Sequence, residues 1–568
     1  MDARTDDLDF LREEIETGIA GLARHIKANP AFITLIGLVR ELDVQITIPY
    51  HDDNVTNPPL SQLYKFGWQP LFRESYRLFD MKPQPMLFPS SKAHIVNAQM
   101  LLSFSGRVGV CQQFLEYLRY GMVKIAEVSG RSVRFEPSHA YFGVERFDIE
   151  YKQIVAANII ERIIEDREAR HPHSLDAVQP LMRKTVTSPI PQFMAYNAPA
   201  EVGEFFEQQG RYRLLRLQEH DNFGPDNIFG GLPYRVYVDA VEYLISVALM
   251  HTHYAMAVLE SHPQTLLANL LPYLRPDTSF IEELAYNLDI TAEQARQILD
   301  CLTLDKSNYE GYTDFTAAAP PPFIRMADGY LLRSVAGCLN NPFQLLNYEL
   351  KRRYEKDYSK ANDNKGKNSK EVRFRNELFH FFPQEHITKL NRGVRLNTLL
   401  GSTDVDAVLY DKTAGTVALI QLKWPDGYGD SMRRRESAMT NYYDKANEWV
   451  EKVYSWVENS DPKTIFGALQ IQVKPEERKN YKGAYIMVLN RNTAHFTSGE
   501  PSEKAAWGSW AQFVATLATG LKHRPEDPLG AAYSCLRYFD PRRRTDRGDV
   551  PRRAPFDMEI GPSRISMV

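Results

Sequence analysis

The sequence predicts a multidomain α/β chain: a mostly α N-terminal region, then a small α/β module, then a larger α/β domain. Three observations predict it. Up to about residue 262, long stretches carry apolar residues at helical spacing. Residues 279–332 then hold two short helical patterns and a hairpin pattern. Past residue 371, a helical stripe, two apolar strand-like runs, a long amphipathic stretch and a further apolar run follow one another. With 568 residues and 43% hydrophobic content, the chain can bury real cores in about two to four domains.

Residues 1–262 form the first unit. Leu8–Ile26 and Phe32–Leu42 have helical periodicity, and longer helical patterns run over Ala93–Val128, Asp148–Arg167 and Val236–Leu259. Asp52–Pro59 and Met81–Pro89, polar and Pro-rich, read as loops. No repeat of fixed period is present, so a solenoid is not supported. His251 and His253 lie two apart on a helix, so they point to different sides and read as packed or hydrogen-bonded histidines. The region shows no catalytic pattern and reads as a unit that senses, binds a partner or forms a homo-oligomer.

Residues 263–350 form the second unit. A helix over Phe280–Asn287 meets a tight turn, Leu288-Asp289-Ile290. A second helix starts at Thr291, with Gln294 three residues on to complete a capping box. Phe323–Leu332, with Asp328-Gly329 inside it, reads as a hairpin. The helix pair and hairpin resemble a winged-helix module, with Glu293, Gln294, Arg296 and Gln297 on the exposed face of the second helix. Residues 351–370, basic and poor in apolar side chains, read as a linker or a fraying helix.

The third unit, 371–523, contains Gly401–Trp424, GSTDVDAVLYDKTAGTVALIQLKW. Ala407–Tyr410 and Val417–Ile420 read as two strands joined by the turn-forming Lys-Thr-Ala-Gly. In an antiparallel pair, the start of one strand lies beside the end of the next. Asp406 can therefore meet Gln421 and Lys423, which share a face because they are two apart. A carboxylate, an amide oxygen and an ammonium converging on one spot suit phosphodiester hydrolysis. Hard oxygen ligands accept Mg²⁺ or Mn²⁺, and the lysine can stabilise the attacking water and the transition state. Asp404 reads as a turn or strand-capping residue.

Asp406 followed about fifteen positions later by Gln421-Leu422-Lys423 resembles the signature of the PD-(D/E)xK nuclease superfamily, with Gln at the second acidic position. The resemblance spans roughly Glu371 to Arg491. It implies a restriction-endonuclease-like fold with a central mixed sheet, and Asp406 and Gln421 as metal ligands with Lys423 as the catalytic cation. The family also expects a preceding helix that donates a Glu. Glu371–Phe382 carries Phe374, Leu378, Phe381 and Phe382 on one stripe, and Glu377 beside it is the preferred donor, with Glu371 second. After the loop Pro425–Ser431, a helix runs to Glu458; Arg434, Arg435 and Lys445 on it are phosphate-binding candidates. Ala484–Leu489 reads as a buried strand and Ala505–Leu521 as a closing helix. The Arg- and Pro-rich residues 524–568 read as an extended tail.

Net charge is −4, so contact with nucleic acid, DNA in the first instance, needs local positive charge. Four scattered cysteines exclude a zinc ribbon or a disulfide scaffold and fit a cytoplasmic protein. The acidic N-terminus has no signal-peptide pattern, and Tyr243–Leu259 is too short and too polar to span a membrane. Two readings compete with a nuclease: a decayed site that binds nucleic acid or recruits a partner, and a scaffold without nucleic acid. In layout the chain resembles bacterial defence nucleases, in which a sensor region controls an effector.

Overall fold

The computed structural model describes residues 8–28, 30–51, 58–79, 88–140, 142–168, 174–314, 318–362, 369–427, 431–542 and 556–567. Of the expected loops Asp52–Pro59 and Met81–Pro89, residues 52–57 and 81–87 lie outside them, as does the Arg-rich 543–555, while Pro58 and Pro59 open a helix. The architecture is a mostly helical N-terminal region followed by mixed sheets. Among the described residues, no helix is long and apolar enough to cross a membrane.

Four helices, Asp9–Ala28, Ala31–His51, Pro58–Leu78 and Lys92–Arg119, open the chain. The third and fourth cross at glycines. A Cβ on Gly106 would lie 2.2 Å from the Leu63 carbonyl oxygen, and one on Gly67 would lie 2.4 Å from that of Leu102. The fourth helix stops earlier than its periodicity suggests. Gly121 adopts a left-handed conformation (φ 66°), and Val123–Ser129 turns back on Ser132–Pro137 as a hairpin. The β-branched Val123, Ile125, Val128 and Val133 favour strands there. Further helices follow at Arg146–Glu168, Leu175–Thr185, Ala200–Arg216 and Tyr234–Ser261. His251 is buried, its ring bonded to the Leu270 carbonyl at 2.8 Å and to the Tyr196 hydroxyl at 3.0 Å; burial lowers its pKa to about 3.

Asp277–Leu288 and Ala292–Cys301 are helices joined through Asp289 in the left-handed region, and Thr291 and Gln294 make the capping box. Phe323–Ala327 and Tyr330–Arg333 pair as a hairpin inside a four-stranded sheet with Tyr273–Pro276 and Thr303–Leu304. One hydrophobic core joins Val178–Val258 to residues as far on as Ala361, so residue 262 does not separate two cores. Gln297, on the second helix, is spent inside this unit: its amide donates to the Gly230 carbonyl at 3.1 Å and the Tyr237 hydroxyl at 2.7 Å. Much of 351–370 is also ordered as helix, in Pro342–Arg353 and Glu355–Asn362, where Arg352 and Arg353 close on buried Glu349.

The last unit is a five-stranded mixed sheet in the order Ile387–Leu390, Ala407–Asp411, Thr416–Lys423, Gly483–Asn490, Ala506–Ser509. The first three strands are antiparallel and the last three parallel. Alternation sorts their side chains into two layers. Val408, Tyr410, Val417 and Leu419 pack with Met439, Tyr443, Trp449 and Val453 of the helix Met432–Glu458. Ala407, Leu409, Ala418 and Ile420 pack with the helices Lys370–His380, Trp510–His523 and Pro528–Tyr538.

The segment expected to be an extended tail is built in at both ends. Leu529, Ala532 and Leu536 fill that second layer. Phe556–Ile560 and Ser563–Met567 then join the N-terminal hairpin in a four-stranded sheet, burying Ile560 and Ile565 beside Leu11 and Phe114. Its low average apolar content hid a strict alternation over the last dozen residues.

The glycine crossing gives the first prediction. Gly106→Ala is expected to destabilise the chain by about 1–3 kcal/mol through overpacking against rigid backbone, read as a lower denaturation midpoint. An unchanged midpoint would show that the two helices separate at no cost.

Candidate active site

The hairpin register builds the site. Ala407 pairs with Ile420, so Asp406 stands one step beyond, opposite Gln421. Counting by twos, Asp406 shares a face with Val408 and Tyr410, and Gln421 and Lys423 share one with Val417 and Leu419. All three therefore face the Met432–Glu458 helix at the strand ends. Asp406 and Gln421 are buried at 8% and 6% exposure. One oxygen of Asp406 accepts the Leu422 N–H at 2.8 Å and the Gln421 side-chain N–H.

The electrostatics are those of buried charges held close together. Burial, and then the nearby Glu371 carboxylate, raise the Asp406 pKa to about 7, against the bonds from Leu422 and Gln421 and the Lys423 charge. Glu371 is itself pushed up by burial, while Arg375, 2.8 Å away, and Lys423 hold it down. Lys423 is pushed below the usual lysine range, first by burial and also by Lys445; Asp406 and Glu371 oppose that. A carboxylate raised by burial and by a neighbouring carboxylate, beside a lysine lowered by burial, is the kind of perturbation that gathers where charge is handled chemically.

The expected glutamate is displaced by two turns. Glu377 does not face Asp406; it bonds Arg373 at 2.9 Å and Arg491. Glu371 takes its place because the N-terminal end of the helix, not its middle, meets the strand ends. Six residues separate the two glutamates by about 9 Å along the axis. Both lie near the Phe374–Leu378 stripe, so periodicity could not rank them. Of the phosphate-binding candidates, Arg435 is also displaced. It is buried, bonded to Glu145 at 3.0 Å and held over Phe496, because its direction on the helix is toward the N-terminal region. Arg434 and Lys445 remain exposed on the wall of the site. Asp404 is exposed, and its carbonyl accepts the Trp449 indole N–H at 2.7 Å.

These residues line a cleft of about 1540 Å³ between the sheet domain and the units before it, with Glu219 from the N-terminal region, Asn347 and Tyr348 from the second unit and Lys351 from the segment that follows. Eight Lys and Arg and seven Asp and Glu side chains border it, so it is not a continuous positive track. Phosphate attraction has to come from the local group Lys423, Arg433, Arg434 and Lys445. The loop after Trp424 is anchored near the site: Asp426 accepts from Lys370 at 2.9 Å and from the Tyr358 hydroxyl at 3.1 Å.

Among the described residues, no group of three or more His, Cys, Asp and Glu is disposed to hold a metal ion. Asp406 and Glu371 supply two carboxylates, which suits Mg²⁺ that keeps several waters and excludes an all-protein cage. Gln421 presents its N–H side to Asp406, and only with its amide turned over could its oxygen join them. No protein-family model matches the chain, nor does any curated protein or solved structure at a significant level.

Asp406 yields a stability prediction with a definite sign. Folded Asp406 holds its proton up to about pH 7, whereas an unfolded aspartate releases it near about 3.9. Ionisation therefore costs folded stability progressively as pH rises toward and through 7. Asp406→Asn is expected to melt above wild type at pH 8 in metal-free buffer, with the advantage shrinking toward pH 5. A gain that is instead largest at pH 5 would contradict the raised pKa.

Proposed function

We propose that the chain is a metal-dependent nuclease of the PD-(D/E)xK, restriction-endonuclease-like type, in a divergent Gln-x-Lys form. In this reading the winged-helix-like and helical modules belong to its regulatory part. The observation that carries it is the meeting of Asp406, Glu371 and Lys423 at the strand ends of a mixed sheet, on the wall of a cleft.

Asp406 and Glu371 would hold Mg²⁺ or Mn²⁺, which when bound acidifies a water and offsets charge on the scissile phosphate. Gln421 holds Asp406 in place through its N–H. Lys423, kept close to both carboxylates and with its pKa lowered, is suited to orient the attacking water and to stabilise the pentavalent phosphate. Arg434 and Lys445, exposed beside it, are suited to grip flanking phosphates of a nucleic acid, DNA in the first instance, in a salt-sensitive way. The four buried, unpaired cysteines fit work in a reducing compartment such as the cytoplasm. The layout, a large helical region packed on the cleft, supports a regulated effector of the defence type.

One observation favours a second reading, a decayed site that only binds nucleic acid. The Gln421 N–H already satisfies the Asp406 oxygen that a metal would otherwise share.

The test is cleavage of plasmid, linear and single-stranded DNA and of RNA with Mg²⁺ or Mn²⁺. Lys423→Ala is expected to lower the rate on the order of 10²–10³-fold with metal affinity retained. Glu371→Gln is expected to weaken metal binding, and Glu377→Gln to leave it nearly unchanged. Binding of nucleic acid without metal and without cleavage would favour the second reading, and equal cleavage by wild type and Lys423→Ala would remove Lys423 from the mechanism.

A further inference from the structure

The helix that carries Glu371 is held from outside the sheet domain. Residues 221–223 lie in the connection between the helices Ala200–Arg216 and Tyr234–Ser261 of the N-terminal region. They meet the Lys370–His380 helix at three successive turns. The Lys370 ammonium donates to the Asn222 side-chain oxygen at 3.4 Å. Arg373 donates to the Phe223 carbonyl at 2.6 Å. Glu377 is reached through Arg491, whose guanidinium donates to Glu377 and, at 3.1 and 2.5 Å, to Asp221. Positions 370, 373 and 377 share one side of a helix, while Phe374 and Leu378 pack on the sheet.

Arg491 ties that grip to the site strand. Its backbone N–H bonds the Lys423 carbonyl at 2.7 Å, and its side chain lies 4.5 Å from the centre of the Trp424 ring, directly after Lys423. The guanidinium is 8% exposed and also stacks near Trp510 and Phe374. A cation so enclosed has few alternatives to its two carboxylates, one from each region. Asp221 also faces a second, half-buried cation, Lys152, and His220.

We propose that Asp221, acting through Arg491, is a positioning residue for the candidate site. The 221–223 loop sets the axial position of the Lys370–His380 helix, and so brings Glu371 to Asp406 as the second carboxylate. The N-terminal region thereby completes the metal-holding pair, and anything that draws this loop away disassembles the pair without touching Asp406 or Lys423. This rests on the nuclease reading for its consequence on cleavage, while its consequence on the helix and on metal affinity is independent of cleavage.

The test uses the full chain as Asp221→Asn, Asp221→Glu and, for comparison, Glu145→Gln. Glu145 also joins the two regions, through Arg435, but does not touch the Glu371 helix. Three readouts are taken: amide exchange over 370–380 without metal, Mn²⁺ affinity by calorimetry, and kcat and KM for cleavage. Asp221→Asn is expected to speed exchange over 370–380 and weaken Mn²⁺ binding on the order of 10–100-fold. It should lower kcat at saturating nucleic acid and metal while KM for nucleic acid holds, and Asp221→Glu should recover part of each. Glu145→Gln should leave exchange over 370–380 and Mn²⁺ affinity near wild type. Equal effects from Asp221→Asn and Glu145→Gln would reduce Asp221 to a general inter-region contact and overturn the proposal, as would wild-type Mn²⁺ affinity in Asp221→Asn. Weakened Mn²⁺ binding in Asp221→Asn, with no cleavage even by wild type, would uphold the positioning role and defeat the nuclease reading.

Discussion

The Leu422 N–H bond to the Asp406 carboxylate is the constraint on which the site depends. It forms where the antiparallel pairing of Ala407–Asp411 and Thr416–Lys423 runs out, so it fixes the carboxylate just past the last strand pair. A shift of one residue would turn Asp406, Gln421 and Lys423 to the opposite layer and bury them among Phe374, Leu378 and Phe513. The apolar alternation on both faces forbids that slip, because each strand is packed against helices on both sides. Site geometry and core packing are thus one and the same choice of register.

The site is held at an electrostatic cost. Asp406 lies in a place that disfavours its charge, with Glu371 adding to the penalty. Lys423 is too desolvated to relieve it fully. Natural folds retain such arrangements where a function uses them, and recover the loss in the surrounding core. Gln421 adds no further repulsion, since its amide donates to the Asp406 carboxylate where an acid at that position would repel it.

The N-terminal region is bonded to the sheet domain at several buried or half-buried points, not tethered beside it. Asp148 accepts the N–H groups of Ala494 and His495 and pairs with the His495 ring at 3.0 Å. Glu145 takes Arg435 and the Thr497 N–H, and Asp221 takes Arg491. These partners lie 270 or more residues apart in the chain. The chain also closes on itself, its last two strands completing the sheet begun at Val123. Charged groups dominate these joints, and each carboxylate there has its partner in the other region.

Local chemistry made much of this legible. The Thr291–Gln294 capping box, the Asp289 turn, the hairpin around Asp328-Gly329 and the Asp406–Gln421–Lys423 convergence are short-range patterns of turn residues, caps and alternation, and each is present. The strand at Val123 and the last hairpin were masked by neighbouring helical periodicity and by Arg-rich composition. The sequence by itself determined which residues meet across one hairpin, because two-residue alternation and a tight turn leave no other arrangement. Only the tertiary structure decided that Glu371 and not Glu377 joins them, that Arg435 is consumed by Glu145, and that Asp221 reaches Arg491. Those outcomes depend on how far a helix slides along a sheet and which surface covers it, and spacing within the chain carries neither distance.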